Sequence, residues 1–107
     1  MARTLINVKK TLTRGEAFEI RLLIAHPMES GQRRDSNGQV IARDIINRFS
    51  CTYNDMLVLE ATLFPAISAN PYLSFWAVAT ETGSIVMTWT DDHGTVQTER
   101  VEVTVSA

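Results

Sequence analysis

In residues 17–26, AFEIRLLIAH, apolar side chains recur at every second position. One face of this segment carries, in order, Phe18, Ile20, Leu22, Ile24 and His26. The opposite face carries Glu19 and Arg21 beside a single leucine. A period of two is typical of a β-strand with one buried face, since successive side chains of a strand point to opposite sides. The stretch therefore predicts a half-buried strand that ends at a histidine.

The same alternation recurs further along the chain. Residues 44–53, DIINRFSCTY, place four buried-type side chains on one face, namely Ile45, Phe49, Cys51 and Tyr53. Residues 99–105, ERVEVTV, alternate valine with polar side chains, and turn residues separate the apolar runs. Residues 56–64, MLVLEATLF, tolerate a helix, but their flanking turns favour a strand. The pattern predicts one all-β domain over residues 1–107, an immunoglobulin-like β-sandwich of about seven strands.

Composition narrows the classes of function. The chain has 107 residues, 45% of them hydrophobic, and its 10 basic and 12 acidic side chains give a net charge of −2. This balance favours no nucleic acid and no anionic membrane as a partner. No run approaches the roughly 20 apolar residues of a membrane-spanning helix, and the N-terminus lacks the apolar core of a signal peptide. The single cysteine excludes an intrachain disulfide and a multi-cysteine zinc site.

The most varied chemistry lies in residues 26–35, HPMESGQRRD, directly after the first predicted strand. Within the following loop, Asn37-Gly38 suits a tight primed turn, so residues 32–42 are predicted to form a small hairpin. A loop of this length is uncommon in a compact domain unless it has a function. The candidates are a catalytic or metal site, an anion-binding loop and a surface that contacts another protein.

Catalytic chemistry finds little support in the residues. His26 and His93 could join Asp91 and Asp92 in a metal or hydrolytic site, but no third histidine and no metalloprotease motif accompany them. The segment Asp-Asp-His-Gly is instead typical of a hairpin turn. Cys51 lies on an apolar strand face and is predicted to be a buried, inert thiol. No nucleophile elbow and no phosphate-binding glycine loop occurs. The sequence thus predicts no catalytic residue, no metal ligand set and no cofactor.

The two tryptophans lie on successive predicted strands, Trp76 in YLSFWAVAT and Trp89 in SIVMTWT. Their equal spacing from the intervening turn indicates that they could pair across a ladder, either in the core, which is favoured, or as an exposed aromatic surface. Both faces of residues 72–80 are nevertheless apolar, with Tyr72, Trp76 and Val78 on one side. A sandwich strand has only one core face, so we expect a partner protein to cover the other.

Four segments together carry a resemblance to a known family. They are HPME with SGQRRD (residues 26–35), FSCTYN (49–54), PAISANPYL (65–73) and MTWTDDHG (87–94). Over most of residues 17–94 the chain resembles the SoxZ family, the non-catalytic half of the SoxYZ carrier of bacterial sulfur oxidation. Asp55 stands where that family usually carries glycine, which predicts an altered turn.

The resemblance implies an immunoglobulin-like fold and a heterodimer with SoxY, whose C-terminal cysteine arm carries the sulfur intermediates. It also implies docking to the enzymes of the Sox system, and periplasmic residence through co-export with SoxY. When isolated, the chain is expected to form homodimers through its apolar face. The side chains predicted to contact a partner are His26, Arg33, Arg34, Tyr72 and Trp76. Two alternatives remain open: a free-standing β-sandwich binding module unrelated to SoxY, and a small hydrolase or metalloenzyme.

Overall fold

The computed structural model describes residues 3–107 and folds them into two packed β-sheets. The strands are β1 (Thr4–Val8), β2 (Thr11–Thr13), β3 (Ala17–Ile24), β4 (Ile46–Tyr53), β5 (Met56–Thr62), β6 (Tyr72–Val78), β7 (Gly83–Asp91) and β8 (Val96–Ser106). The small sheet has the order β1-β3-β6, and the large sheet has the order β2-β8-β7-β4-β5. The predicted all-β sandwich is confirmed, and the ambiguous segment after Asp55 is a strand. Residues 3–107 contain no helix that could span a lipid bilayer.

The count of strands exceeds the predicted seven because residues 4–13 form two strands in different sheets. β1 pairs antiparallel with β3 in the small sheet, whereas β2 pairs parallel with β8 in the large sheet. The chain therefore passes from one sheet to the other near its start. This crossing connects the two sheets along one side of the sandwich.

The core lies between β3 and the strands of the large sheet. The even-numbered apolar residues of β3 are almost fully buried, as the alternation predicts. The rings of Phe18 and Tyr53 meet edge to face with centroids 6.1 Å apart, and the rings of Phe49 and Phe75 do so at 5.9 Å. Each buried side chain of this size contributes about 1.5–3 kcal/mol relative to an exposed one. The strand predicted from residues 17–26 is thus the central strand of the small sheet.

The predicted pairing of the two tryptophans is wrong. β6 belongs to the small sheet and β7 to the large one, so residues 79–82 carry the chain between sheets and do not form a hairpin. The hydroxyl of Tyr53 fixes this crossing, since it donates to the carbonyl of Glu81 and accepts the Thr80 and Glu81 amides at 3.2 Å. Trp89 is buried in the core, as expected, whereas Trp76 is 63% exposed.

Two turns share one hydrogen-bonding pattern, residues 35–38 and 91–94. The Oδ1 atom of Asp35 accepts the amides two and four residues later at 2.8 and 3.0 Å, and Asp91 does the same at 2.9 and 3.0 Å. In both turns the glycine has a φ of +79°. The hairpin predicted in residues 32–42 is present. Its turn differs from the predicted primed type, because Gly38 has a positive φ and Asn37 does not.

The turn between β4 and β5 keeps the geometry that glycine would favour. Asn54 and Asp55 have φ values of 48° and 67°, and the strand pairing places Tyr53 opposite Met56. Two successive residues of positive φ are the signature of a type I′ hairpin turn. Asp55 therefore adopts the left-handed conformation itself, and the turn is not altered in the way its sequence predicts.

Candidate functional site

The outer face of the small sheet exposes a group of large apolar side chains. Leu5, Leu23 and Tyr72 lie side by side in register across β1, β3 and β6. Further along β6, Trp76 and Val78 point to the same side. Tyr72, Trp76 and Val78 are 58%, 63% and 55% exposed. The face predicted to need a covering partner is thus open to solvent within residues 3–107.

A polar band crosses this outer face between the two apolar groups. It consists of Asn7, Arg21 and Ser74, which stand in one row across the three strands. Glu19 accepts a hydrogen bond from the Ser74 hydroxyl, and its other carboxylate oxygen lies 3.4 Å from the Arg21 Nε atom. Because these two charges neighbour each other, the outer face presents little net charge to a partner.

The loop between β3 and β4, residues 25–45, is clamped to the β7–β8 turn. Arg43 donates two hydrogen bonds to the carboxylate of Asp92, from Nε at 2.7 Å and from Nη2 at 2.9 Å. The same carboxylate accepts the Ile45 amide at 3.2 Å and the Asn47 side-chain amide at 3.0 Å. The Arg43 guanidinium, helped by Asn47 and the Ile45 amide, lowers the pKa of Asp92 below its usual value. The far end of the loop is therefore held by a charged, multiply bonded carboxylate.

Arg33 and Arg34 both have partners inside the loop. Arg33 donates to Glu29 from Nε at 3.2 Å and from Nη2 at 2.7 Å, which raises the pKa of Arg33 and lowers that of Glu29. Arg34 donates from Nη1 to the Gly38 carbonyl at 2.8 Å. Both arginines are exposed, so further guanidinium N–H groups point away from these contacts. Their role in partner binding stays a prediction.

His26 is placed to organise the loop from within. It is only 8% exposed, and its Nδ1 atom accepts the Met28 amide at 3.0 Å. A neutral ring that accepts at Nδ1 carries its proton on Nε2. That nitrogen faces Asp44 Oδ1 at 3.7 Å and Asp91 Oδ2 at 3.9 Å. Because it is buried, His26 is poorly placed to contact a partner directly. The other side chains predicted to do so, Arg33, Arg34, Tyr72 and Trp76, are all exposed.

The ligand atoms of His26, Asp44 and Asp91 lie within 4.8 Å of one another, which is close enough to hold a metal ion. Their hydrogen bonding argues against it. A metal-binding histidine usually donates its second ring N–H to an acceptor, but the second nitrogen of His26 faces the Met28 N–H donor. Coordination through Nε2 would require a ring with no proton or the loss of this hydrogen bond. The absence of metal ligands remains a prediction from the sequence.

Asp44 is the residue of this cluster that the sequence did not indicate. Its Oδ1 atom is buried without a hydrogen bond, and its Oδ2 atom lies 3.3 Å from His93 Nε2. The loop brings it beside two residues that are distant in the chain, and no local pattern reports such a contact. The cluster joins the start of the loop, its end and the β7–β8 turn. It is best explained as a polar anchor of the loop.

Cys51 is fully buried in β4, as its position on an apolar face predicts. Burial raises the pKa of its thiol to about 12. The thiol is therefore protonated at neutral pH, and the thiolate is the form that attacks electrophiles and sulfur compounds. This environment is unsuitable for a residue that carries sulfur cargo.

The candidate site of this β-sandwich is a surface, made up of the exposed apolar sheet face and the anchored loop. The chain belongs to the SoxZ family, because the family of the sulphur oxidation protein SoxZ matches residues 6–102. The resemblance noted in the sequence is thereby confirmed. No curated protein matches the chain.

Solved structures share the fold at low sequence identity. The sulfur carrier protein SoxY from Chlorobium limicola f thiosulfatophilum is 14% identical, with a TM-score of 0.69 over 97% of this chain and 79% of that one. A superoxide reductase (neelaredoxin) from Ignicoccus hospitalis is 12% identical, with a TM-score of 0.69 over 98% of this chain and 82% of that one. At such identities the likeness establishes the sandwich fold and no shared site.

Proposed function

We propose that this chain is the non-catalytic subunit of the SoxYZ carrier complex of thiosulfate oxidation and forms a heterodimer with SoxY. The C-terminal cysteine arm of SoxY carries the sulfur intermediates, and this chain supports SoxY and contacts the enzymes of the Sox system. The complex works in the periplasm, which the chain reaches by co-export with SoxY. Membership of the SoxZ family supports the proposal, and so does the burial of Cys51.

The observation that carries the proposal is the exposed outer face of the small sheet. Trp76 and Tyr72 leave more than half of their surfaces in water. Aromatic side chains of this kind are enriched among the residues that dominate protein interfaces, where they are buried at the centre. We therefore place SoxY against β6 and the adjoining outer face.

The test is a binding titration between this chain and the SoxY protein of the same organism. Trp76→Ala should weaken the complex at least about tenfold, because a central aromatic anchor typically contributes about 2 kcal/mol or more. Leu57→Ala serves as the matched control, since Leu57 is a similarly exposed apolar residue on β5 of the other sheet. Its affinity for SoxY should match that of the wild type.

Two results would count against the proposal. If wild-type chain and SoxY do not associate, the alternative of a free-standing binding module gains support. If Trp76→Ala and Leu57→Ala bind SoxY as tightly as the wild type, the outer face is not the SoxY surface. The isolated chain should also show no turnover of thiosulfate or sulfite, and measurable turnover would contradict a non-catalytic role.

A further inference from the structure

β6 leaves one edge of the small sheet unpaired, since its strand partner within residues 3–107 is β3 alone. The Ile24 amide donates to the Pro71 carbonyl at 3.1 Å, and the Ala79 amide donates to the Glu16 carbonyl at 2.8 Å. Antiparallel strands alternate hydrogen-bonded and non-bonded pairs. The backbone N–H and C=O groups of Leu73, Phe75 and Ala77, which lie between these two bonds, therefore point toward β3. The backbone groups of Tyr72, Ser74, Trp76 and Val78 face the open edge.

This edge lacks the features that usually protect a free strand. Natural proteins guard edges with charged side chains, proline, bulges or very short strands. The seven residues of β6 include no charge and no proline. The edge strand of the large sheet, β5, carries Glu60, which pairs with Arg48 on β4. The other edge strand of the small sheet is β1, and the chain passes from β1 directly into β2 of the large sheet.

We infer that a second copy of this chain pairs with β6 through this edge when SoxY is absent, forming one continuous six-stranded antiparallel sheet. The inference does not require SoxY to be the partner. A second copy fits this edge because a strand that pairs with its own copy must avoid like charges, and β6 carries no charged residue. Glu19, which lies opposite Trp76 on the neighbouring strand β3, already bonds Ser74 and neighbours Arg21.

The positions of the backbone groups also suit self-pairing. Full overlap of two antiparallel β6 strands sets Tyr72 opposite Val78 of the second copy and Ser74 opposite Trp76. All four residues direct their backbone groups outward, so every one of these pairs can form hydrogen bonds. Phe75 then lies on the two-fold axis. The side chains of the four residues meet on the outer face, as an isologous contact requires.

Sedimentation of the chain alone, over a range of concentrations, tests the inference. The wild type should form a reversible dimer. Ser74→Lys places two like charges near the axis and should weaken dimerisation by up to about fivefold, since unfavourable cross-strand charge pairs cost up to about 1 kcal/mol. Asn7→Lys is the matched control, because Asn7 is exposed in the same row of the same face but on β1. It should dimerise like the wild type. Trp76→Lys replaces Ser74→Lys if circular dichroism shows that variant to be unfolded.

Hydrogen exchange resolved by residue adds a signature of edge pairing. The amides of Tyr72, Ser74, Trp76 and Val78 should be protected in the dimer and exchange rapidly in the Ser74→Lys variant. A wild type that stays monomeric at high concentration overturns the inference, and so does equal loss of dimer in Asn7→Lys. Failure of SoxY to bind would overturn only the proposed function. When SoxY does bind, adding it should convert the homodimer into a heterodimer.

Discussion

Asp92 holds the loop between β3 and β4 with four hydrogen bonds, two from Arg43 and one each from Ile45 and Asn47. Its neighbour Asp91 has a different task, because it accepts the amides of its own turn. The sequence predicted the turn role of these acidic residues from Asp-Asp-His-Gly. The clamp could not be predicted, since its partners lie 45 to 49 residues away in the chain.

Asp92→Asn should destabilise the fold by about 1–3 kcal/mol, because the amide cannot accept from all of these donors and leaves one of them unpaired. Thermal or denaturant unfolding measures the change. Asp55→Asn is the control, since it removes the same charge from an exposed turn residue. Equal stabilities of the two variants would show that the clamp contributes nothing.

The pH dependence of the Asp92 effect has a defined sign. The pKa of Asp92 is lowered in the folded chain, so its ionised form stabilises the fold at pH values above the ordinary carboxyl value of 3.8. That contribution is lost as the pH falls through the lowered pKa of the folded state. The stability difference between wild type and Asp92→Asn should therefore shrink below this window. A difference that stays constant in acid would contradict the assignment.

Cys51 should be chemically silent in the folded protein. With the pKa of its thiol raised to about 12, it should resist iodoacetamide at mildly alkaline pH and react once the chain is unfolded in guanidinium. The thiol ionises near 9.0 in the unfolded chain and near 12 in the folded one, so the stability that the protonated thiol contributes is lost as the pH rises from about 9 to about 12. Cys51→Ala should remove that dependence, at a packing cost of roughly 0.5–3 kcal/mol. Loss of sulfur loading by a folded, SoxY-bound variant would refute the inert role.

At the scale of strands, alternation identified the elements but not how they join. The buried faces of β3 and β4 follow from the sequence because side chains of a strand point alternately to its two sides. Whether a turn keeps the chain in one sheet or moves it to the other depends on packing across the sandwich. The Tyr53 hydroxyl, which fixes the crossing after β6, lies 27 residues from Thr80 in the chain. For this reason the partners of Trp76 and Trp89 could not be read from their spacing.

The turn between β4 and β5 offers a test of local strain. Asp55 has a φ of 67°, a conformation that side chains other than glycine, asparagine and aspartate rarely adopt. Asp55→Gly should stabilise the hairpin by about 0.5–1 kcal/mol, because glycine takes positive φ without steric cost and loses only part of this gain to chain entropy. Denaturant unfolding measures the change, with Gly38→Asp as the inverse control in the other loop. Destabilisation by Asp55→Gly would show that its side chain has a role that the turn geometry does not reveal.

The molecule has two candidate binding surfaces on different elements: the outer face of the small sheet, and the loop between β3 and β4. The outer face of the small sheet exposes two apolar groups with a polar band between them, whereas the loop after β3 exposes Arg33 and Arg34. The exposed face was predicted from the two apolar sides of residues 72–80, since no single-domain sandwich can bury both. The cluster of His26, Asp44 and Asp91 was not predicted, because it depends on where the loop folds back. Under the proposed function, the outer face would bind SoxY while the loop binds an enzyme of the Sox system.

Replacing Arg33 and Arg34 with alanine tests that division. Surface pairs of this kind contribute only about 0–1 kcal/mol to folding, so the double variant should remain folded. It should bind SoxY normally but dock more weakly to the Sox enzymes that load and unload the complex. The weakening should diminish as salt rises, because screening reduces the attraction between exposed charges.

The control for this experiment is the double variant Arg48→Ala with Arg100→Ala, which removes the same charge from exposed positions on the large sheet. A general effect of net charge would weaken docking equally in both double variants, whereas a loop contact would spare the control. Binding isotherms of the SoxYZ complex with each enzyme, at low and high salt, separate these outcomes. Equal affinities of wild type and the loop variant at low salt would leave the arginines with the loop partners they already have, Glu29 and the Gly38 carbonyl. The function of the loop would then have to lie in its anchored backbone.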